Sequence, residues 1–278
     1  MVKISLKLAC ACVFGMSTLA QADTRSTQSS PPSAVSTPAI VTAGMFRLES
    51  ERSYKLSLQM ALGILNAHTQ IERTRSVEKI AKLRAELAKT SQKSEKIAKV
   101  FHRVNLALND QVDGLPKLNE KTAAMMYDIN EDLLNKMNFL SFAIESETSD
   151  TSSRITGLAL RQASLAQRMA KIILLRSMDK NMAQKQGLQV DLEQSRIEFL
   201  NGLNLLAAET QSGKALRERF VLAQQQWVFY DRSLSARQFK SEDLRNISST
   251  SDRIAEMMVE IVRLAYGLVA DPNMIASN

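Results

Sequence analysis

Aromatic side chains are scarce in this chain, 5% of 278 residues, and so are glycine and proline, with nine and five in all. A β-sandwich or barrel needs aromatic and β-branched strands joined by frequent turns, so an all-β fold is excluded. Cysteine is confined to Cys10 and Cys12. Beyond them there is no thiol for a disulfide, a nucleophile or a metal site. The only histidines, His68 and His102, have no carboxylate at ligand spacing, which argues against metal binding and general-base work. There is no Gly-x-Ser-x-Gly elbow and no glycine-rich phosphate loop. Nothing in the sequence points to an enzyme or calls for a cofactor.

What is abundant is Leu, Ala, Met, Gln, Lys, Glu and Ser, the composition of long helices. With 45% hydrophobic residues the chain can bury a substantial core. Lys and Arg outnumber Asp and Glu by 36 to 29, a formal charge of +7. The basic residues are dispersed among acids at helical spacing, which describes a solvated helical surface, so nucleic acid is not expected as a partner.

Residues 1–22 read as a secretory signal peptide. Lys3 and Lys7 form a positive start, Leu8 to Ala20 is apolar, and Ala20-Gln21-Ala22 offers a small-x-small cleavage site. The apolar run is shorter than the roughly 20 residues that span a bilayer, so an uncleaved anchor is the weaker reading. Both cysteines sit too early in it for a lipid-bearing position. The later apolar stretch from Met257 to Ala270 is interrupted by Glu260 and Arg263, and stable membrane insertion is not expected. The expected location is the periplasm.

Residues 23–40 are rich in Ser, Thr, Gln and Pro without apolar periodicity and are expected to be a flexible lead. Eight helices follow. The first is expected from about Thr42 to the Thr69 region, the second over Val77 to Lys89, the third over Ser91 to Leu108, and the fourth from Pro116 to about Glu145. The fifth runs from the polar punctuation at 149–153 to about Gln186, where Gly187 breaks it. Its residues Ile155, Leu158, Leu165, Met169 and Ile172 keep the seam of packed helices. The sixth spans about Gln189 to Glu209, the seventh carries Phe220, Trp227 and Tyr230, and the eighth begins near Glu242. Two sets of four imply an all-α fold of two tandem four-helix bundles, at 41–148 and 149–271, with a tail at 272–278. The copies would either run end to end or fold side by side as a pseudo-dimer, and the protein is compatible with a true dimer. The methionines at helical spacing, Met125, Met126, Met169, Met178, Met182, Met257 and Met258, are expected to fill cores.

The two sets look like copies. Ala43-Gly44-Met45-Phe46-Arg47-Leu48-Glu49-Ser50-Glu51-Arg52-Ser53-Tyr54-Lys55 aligns without gaps to Ala159-Leu160-Arg161-Gln162-Ala163-Ser164-Leu165-Ala166-Gln167-Arg168-Met169-Ala170-Lys171. Ala, Arg and Lys recur at the first, tenth and thirteenth places. In the last helices, Asp132 and Met137 pair with Asp252 and Met257.

The stretch Leu165 to Lys171 resembles the first-helix signature of the PilJ-type periplasmic domain of type IV pilus methyl-accepting chemotaxis transducers. Ala43 to Arg52 resembles the matching box of nitrate- and nitrite-sensing histidine kinases, which share that domain. The resemblance implies a helical sensor bundle in each copy and a membrane receptor or signalling protein as partner. It also implies a small anion held between first helices by the arginine at the fifth place. That place is Arg47 in the first copy and Ala163 in the second. Arg161 stands two places earlier, and Ser50, Arg52 and Arg168 are further candidate ligand contacts.

The physical case stands beside the resemblance. A small planar anion needs a cationic fork in a dry seam, and a guanidinium supplies planar, bidentate donors. Glu49 to Lys55 is too polar for an ordinary core helix, which suggests a wet or ligand-filled interface. The plainer use of Arg47 is a surface pair with Glu51, four residues on. The runner-up function is a periplasmic adaptor or scaffold that binds no ligand and uses its helix faces to contact a receptor or pilus-associated protein.

Overall fold

A computed structural model describes residues 37–64, 68–147, 151–178, 182, 185–236 and 238–266. The expected leader, most of the lead and the tail lie outside them. The described residues are all-α: α1 Thr37–Ala61, α2 Thr69–Ser91, α3 Glu95–Gly114, α4 Ala123–Glu145, α5 Thr151–Arg176, α6 Gln186–Glu209, α7 Lys214–Leu234 and α8 Ser241–Ala265.

Local chemistry explains where these bounds depart from the sequence expectation. The first helix starts at Thr37, earlier than expected, because Ala39 and Ile40 already have a core to enter. Pro38 falls in its first turn, where backbone N–H groups have no helical acceptor to lose. It stops at Ala61, well short of Thr69. Gly63 takes φ 67°, and the Ile64 N–H donates back to the Gln59 carbonyl at 2.8 Å, closing the helix end. The third helix starts late because the Ser94 hydroxyl accepts from the Ile97 N–H. The fourth does not start at Pro116. Leu115–Lys117 is a short 3-10 turn, and the Asn119 side chain accepts from the Lys121 N–H at 2.9 Å, so the helix begins only at Ala123. Gly187 does not break a helix but lies in the first turn of α6.

Two helices form the centre. From Met45 to Gln59 nearly every residue of α1 is buried, and α5 is buried almost all round from Ala159 to Leu175. They lie side by side and run the same way, since contacts across the seam advance together: Gly44 meets Leu160, and further along Glu51 meets Lys171. Helix α2 packs on α1, α6 and α8 pack on α5, and the outer helices α3 and α7 lean on α4 and α8. The two sets are joined through a shared cluster. One apolar cluster runs from Met45, Leu48 and Leu58 of α1 through α5 into α6–α8, while a second holds α1 to α2, α3 and α4.

In the second half Trp227 stacks on Phe199 with ring centroids 4.3 Å apart. Tyr230 lies edge-on to Trp227 and donates its hydroxyl to the Ala166 carbonyl at 2.7 Å. Phe199 is fully buried and contributes about 1.5–3 kcal/mol by leaving water. Of the methionines expected in cores, Met126, Met169, Met178, Met182 and Met258 are buried, but Met125 is exposed because its neighbour Met126 occupies the inward place.

Candidate functional site

Between α1 and α5 the seam has two ends of different chemistry. At the far end sit two buried lysines, Lys55 and Lys171, the thirteenth residues of the two aligned boxes. Lys55 Nζ reaches Asp252 of α8 at 2.6 Å and donates to the Ser248 carbonyl and the Ser251 hydroxyl, each at 3.2 Å. Lys171 Nζ reaches Glu131 of α4 at 3.1 Å and Glu51 at 2.9 Å, and donates to Asn130. Each lysine therefore crosses to the last helix of the opposite set. The tenth residues also reach that helix, and each meets an acid of its own set as well. Arg52 pairs with Glu72 of α2 at 2.5 Å and approaches Asp252 at 3.7 Å. Arg168 pairs with Glu131 at 2.7 Å and approaches Asp191 of α6 at 3.9 Å.

The sequence repeat thus has a physical meaning: a two-fold-like exchange of cations and carboxylates across the centre. The expected counterpart of Asp252 is displaced by one residue. Glu131 takes that role, while Asp132 is exposed and pairs with Lys136 on its own helix. Burial would raise the Asp252 carboxyl, but Lys55 and Arg52 outweigh it and hold it below its ordinary range. Burial acts on Glu131 in the same way and is outweighed by Lys171 and Arg168. The Lys55 ammonium is pushed down, because its burial outweighs the pull of Asp252.

This network accounts for the polar stretch from Glu49 to Lys55. Several of its side chains have partners in the protein: Glu49 holds Lys79 at 2.8 Å and accepts from the Ser76 hydroxyl at 2.8 Å. Glu51 turns to Lys171, so the surface pair between Arg47 and Glu51 does not form. The stretch is polar because α1 is a central helix whose every face meets another helix.

The near end is different. A pocket of about 440 Å³ opens between the first halves of α1 and α5 and the last turns of α4. Gly44 lets the helices approach here, since a Cβ at 44 would lie 2.8 Å from Leu160 Cβ. Ile40, Ala43, Leu158 and Leu160 supply apolar wall, and the polar lining includes Arg47, Arg154, Arg161, Glu145 and Asn138. Arg47 is only 7% exposed, and its Nε finds no hydrogen-bond partner among the described residues. Two nearby carboxylates pair with other cations, Glu51 with Lys171 and Glu198 with Arg161, and the Glu145 carboxyl shares the pocket without an ion pair to Arg47 within 4 Å. Its pKa is lowered to about 10, first by burial and then by the positive charge of Arg161, against the opposing pull of Glu51 and Glu198.

The structure brings Arg47 and Arg161 into one pocket. It does not bring Ser50, Arg52 or Arg168 there. The Ser50 hydroxyl donates to the Phe46 carbonyl at 2.9 Å, one turn back, and the two arginines belong to the ion pairs of the far end. Ala163, at the fifth place of the second box, is fully buried in the apolar cluster. Sequence reasoning missed Asn138 and Glu145, which come from the end of α4 rather than from either box; only the packing of α4 beside α1 and α5 reveals them. Among the described residues no group of three or more His, Cys, Asp or Glu is placed to hold a metal ion, and no helix is long and apolar enough to cross a membrane. Comparison with family models, with curated proteins and with solved structures finds no match for this chain.

Proposed function

We propose that this chain is an exported, periplasmic ligand-binding protein of sensor type that takes a small anion, such as nitrate or nitrite, at Arg47 and Arg161. It works with a membrane receptor or signalling protein rather than as an enzyme. The observation that carries this reading is the state of Arg47: a guanidinium almost out of water, with an unpartnered Nε and a lowered pKa, lining a pocket. A buried charge without compensation is costly, and an anion at that point removes the cost. Arg161 adds a second cation, partly neutralised by Glu198.

The test is calorimetric titration of the chain from Asp23 onward with nitrate and nitrite, with chloride as control and Arg47→Ala as companion. Saturable heat that disappears in the variant is the expected result. A ligand at about 100 times its dissociation constant would also stabilise the fold by roughly 2.7 kcal/mol. No heat and no shift in melting would sink the anion reading.

The second reading, an adaptor, draws support from apolar side chains on outer faces. Val228 and Phe229 of α7 and Ile197 and Leu205 of α6 are exposed. On that reading Phe229→Asp abolishes capture of a membrane partner while anion binding is absent in the unaltered chain.

A further inference from the structure

We infer that the pocket between α1 and α5 is built for an aliphatic α-amino acid, with its carboxylate on Arg47 and its ammonium toward α4. This deepens the anion reading above and rests on it. Three observations lead there.

The first is size. Nitrate occupies roughly the room of two waters, about 60 Å³ at ~30 Å³ each. The pocket holds about 440 Å³, within the usual range for organic ligands. An inorganic ion would leave most of that space to water against an apolar wall.

The second is the wall itself. Ile40, Ala43, Leu158 and Leu160 line the pocket beside its charged groups, and Ile40, Ala43 and Leu160 are buried. They form a surface that gains from an aliphatic side chain and gains nothing from a bare anion.

The third is the presence of acceptors in the same pocket as the cations. Glu145 lines the same pocket, close enough that Arg161 and Arg47 both bear on its ionisation; burial nevertheless raises its pKa. Gly157 makes room for it, since a Cβ there would lie 2.8 Å from Glu145 Oε1. Beside it, Asn138 Oδ1 is buried without a hydrogen-bond partner. A carboxylate and an amide oxygen repel an anion, and they are what an ammonium group needs. An α-amino acid carries both charges on one carbon, so a single head group satisfies Arg47 on one side and Glu145 with Asn138 on the other.

The proposal is tested by a ligand series that removes one charge at a time from a constant skeleton. The full exported chain is titrated with L-leucine, with 4-methylpentanoate (no ammonium), with 3-methylbutylamine (no carboxylate) and with nitrate. Leucine is expected to bind saturably, 4-methylpentanoate at least 10-fold more weakly, and the amine not at all. In Glu145→Gln, leucine weakens by 10-fold or more while 4-methylpentanoate binds as well as before or better. The series on the unaltered chain stands alone if the variant folds poorly.

If 4-methylpentanoate or nitrate binds as tightly as leucine, or if Glu145→Gln changes leucine and 4-methylpentanoate alike, the amino-acid inference is overturned. The anion site at Arg47 then stands. If none of the four ligands gives heat, both readings fall together.

Discussion

The two ends of the seam between α1 and α5 contain the same kind of residue in opposite circumstances. At the far end Lys55 and Lys171 are fully buried, and each meets at least one carboxylate within 3.1 Å. At the near end Arg47 is almost as buried and meets none among the described residues. The contrast is between charges that the fold pairs directly and one for which we propose that a ligand supplies the partner. A buried cation that a fold uses for register is neutralised by the fold, and the exchange of partners across the centre fixes α1, α4, α5 and α8 in one alignment. A buried cation left uncompensated lowers stability, which is sensible only where something else supplies the negative charge.

The largest effect should come from breaking the compensated end. Lys171→Met leaves Glu51 and Glu131 without their common counter-ion, and Glu51 is only 1% exposed. The expected loss is about 3–5 kcal/mol, read as a fall in the urea unfolding midpoint at unchanged slope. A loss below ~1 kcal/mol would mean that these charges are solvated and that the two ends do not differ.

Next in size is Gly44→Ala. The added methyl would meet Leu160 across the closest approach of the two central helices. Unfolding experiments should show a loss of about 1–3 kcal/mol, the cost of overpacking. No loss, or a gain from better helix propensity, would show that the helices are free to part at the pocket end.

Much of this was legible in the sequence. The all-α character and the eight helices of the described residues, with the recurrence of Arg and Lys at the tenth and thirteenth places of each box, follow from composition and spacing. Arg47 and Arg161 stood out as candidates too, and both line one pocket. What the sequence could not show is which partner each charge meets. Arg47, Arg52 and Arg168 are chemically alike along the chain, yet the first faces a pocket while the others face Glu72, Asp252, Glu131 and Asp191. That difference is decided by α2, α4, α6 and α8, which are remote in sequence. Glu145 and Asn138 were invisible for the same reason. The polarity of Glu49 to Lys55 was legible, but its cause was not, because only tertiary packing reveals that α1 is surrounded.

Acid should act on the compensated end selectively. Asp252 and Glu131 both ionise below their ordinary range when folded, so the native state binds fewer protons than the unfolded chain. Their contribution is whole above the unfolded values of about 4 and is lost as pH falls through the lower folded values. Urea midpoints measured from about pH 5 down to about pH 2 should therefore fall, and Asp252→Asn with Glu131→Gln should flatten the curve while lowering its plateau. A curve unchanged by both substitutions would remove these groups from the account.

The smallest effect serves as the control. Lys99 and Glu95 pair at 2.6 Å on α3, but both are well exposed. Lys99→Ala should cost at most a few tenths of a kcal/mol by the same assay. A loss as large as that of Lys171→Met would show that position in the seam is not what gives charge its weight here.

The most direct test is the unfolding midpoint of Arg47→Leu beside the unaltered chain, each with and without saturating ligand. An uncompensated buried cation predicts that the variant is the more stable of the two in the absence of ligand, by on the order of 1 kcal/mol, and that ligand stabilises only the unaltered chain. A variant destabilised by several kcal/mol, with no ligand response in either protein, would make Arg47 one more structural charge and contradict the account.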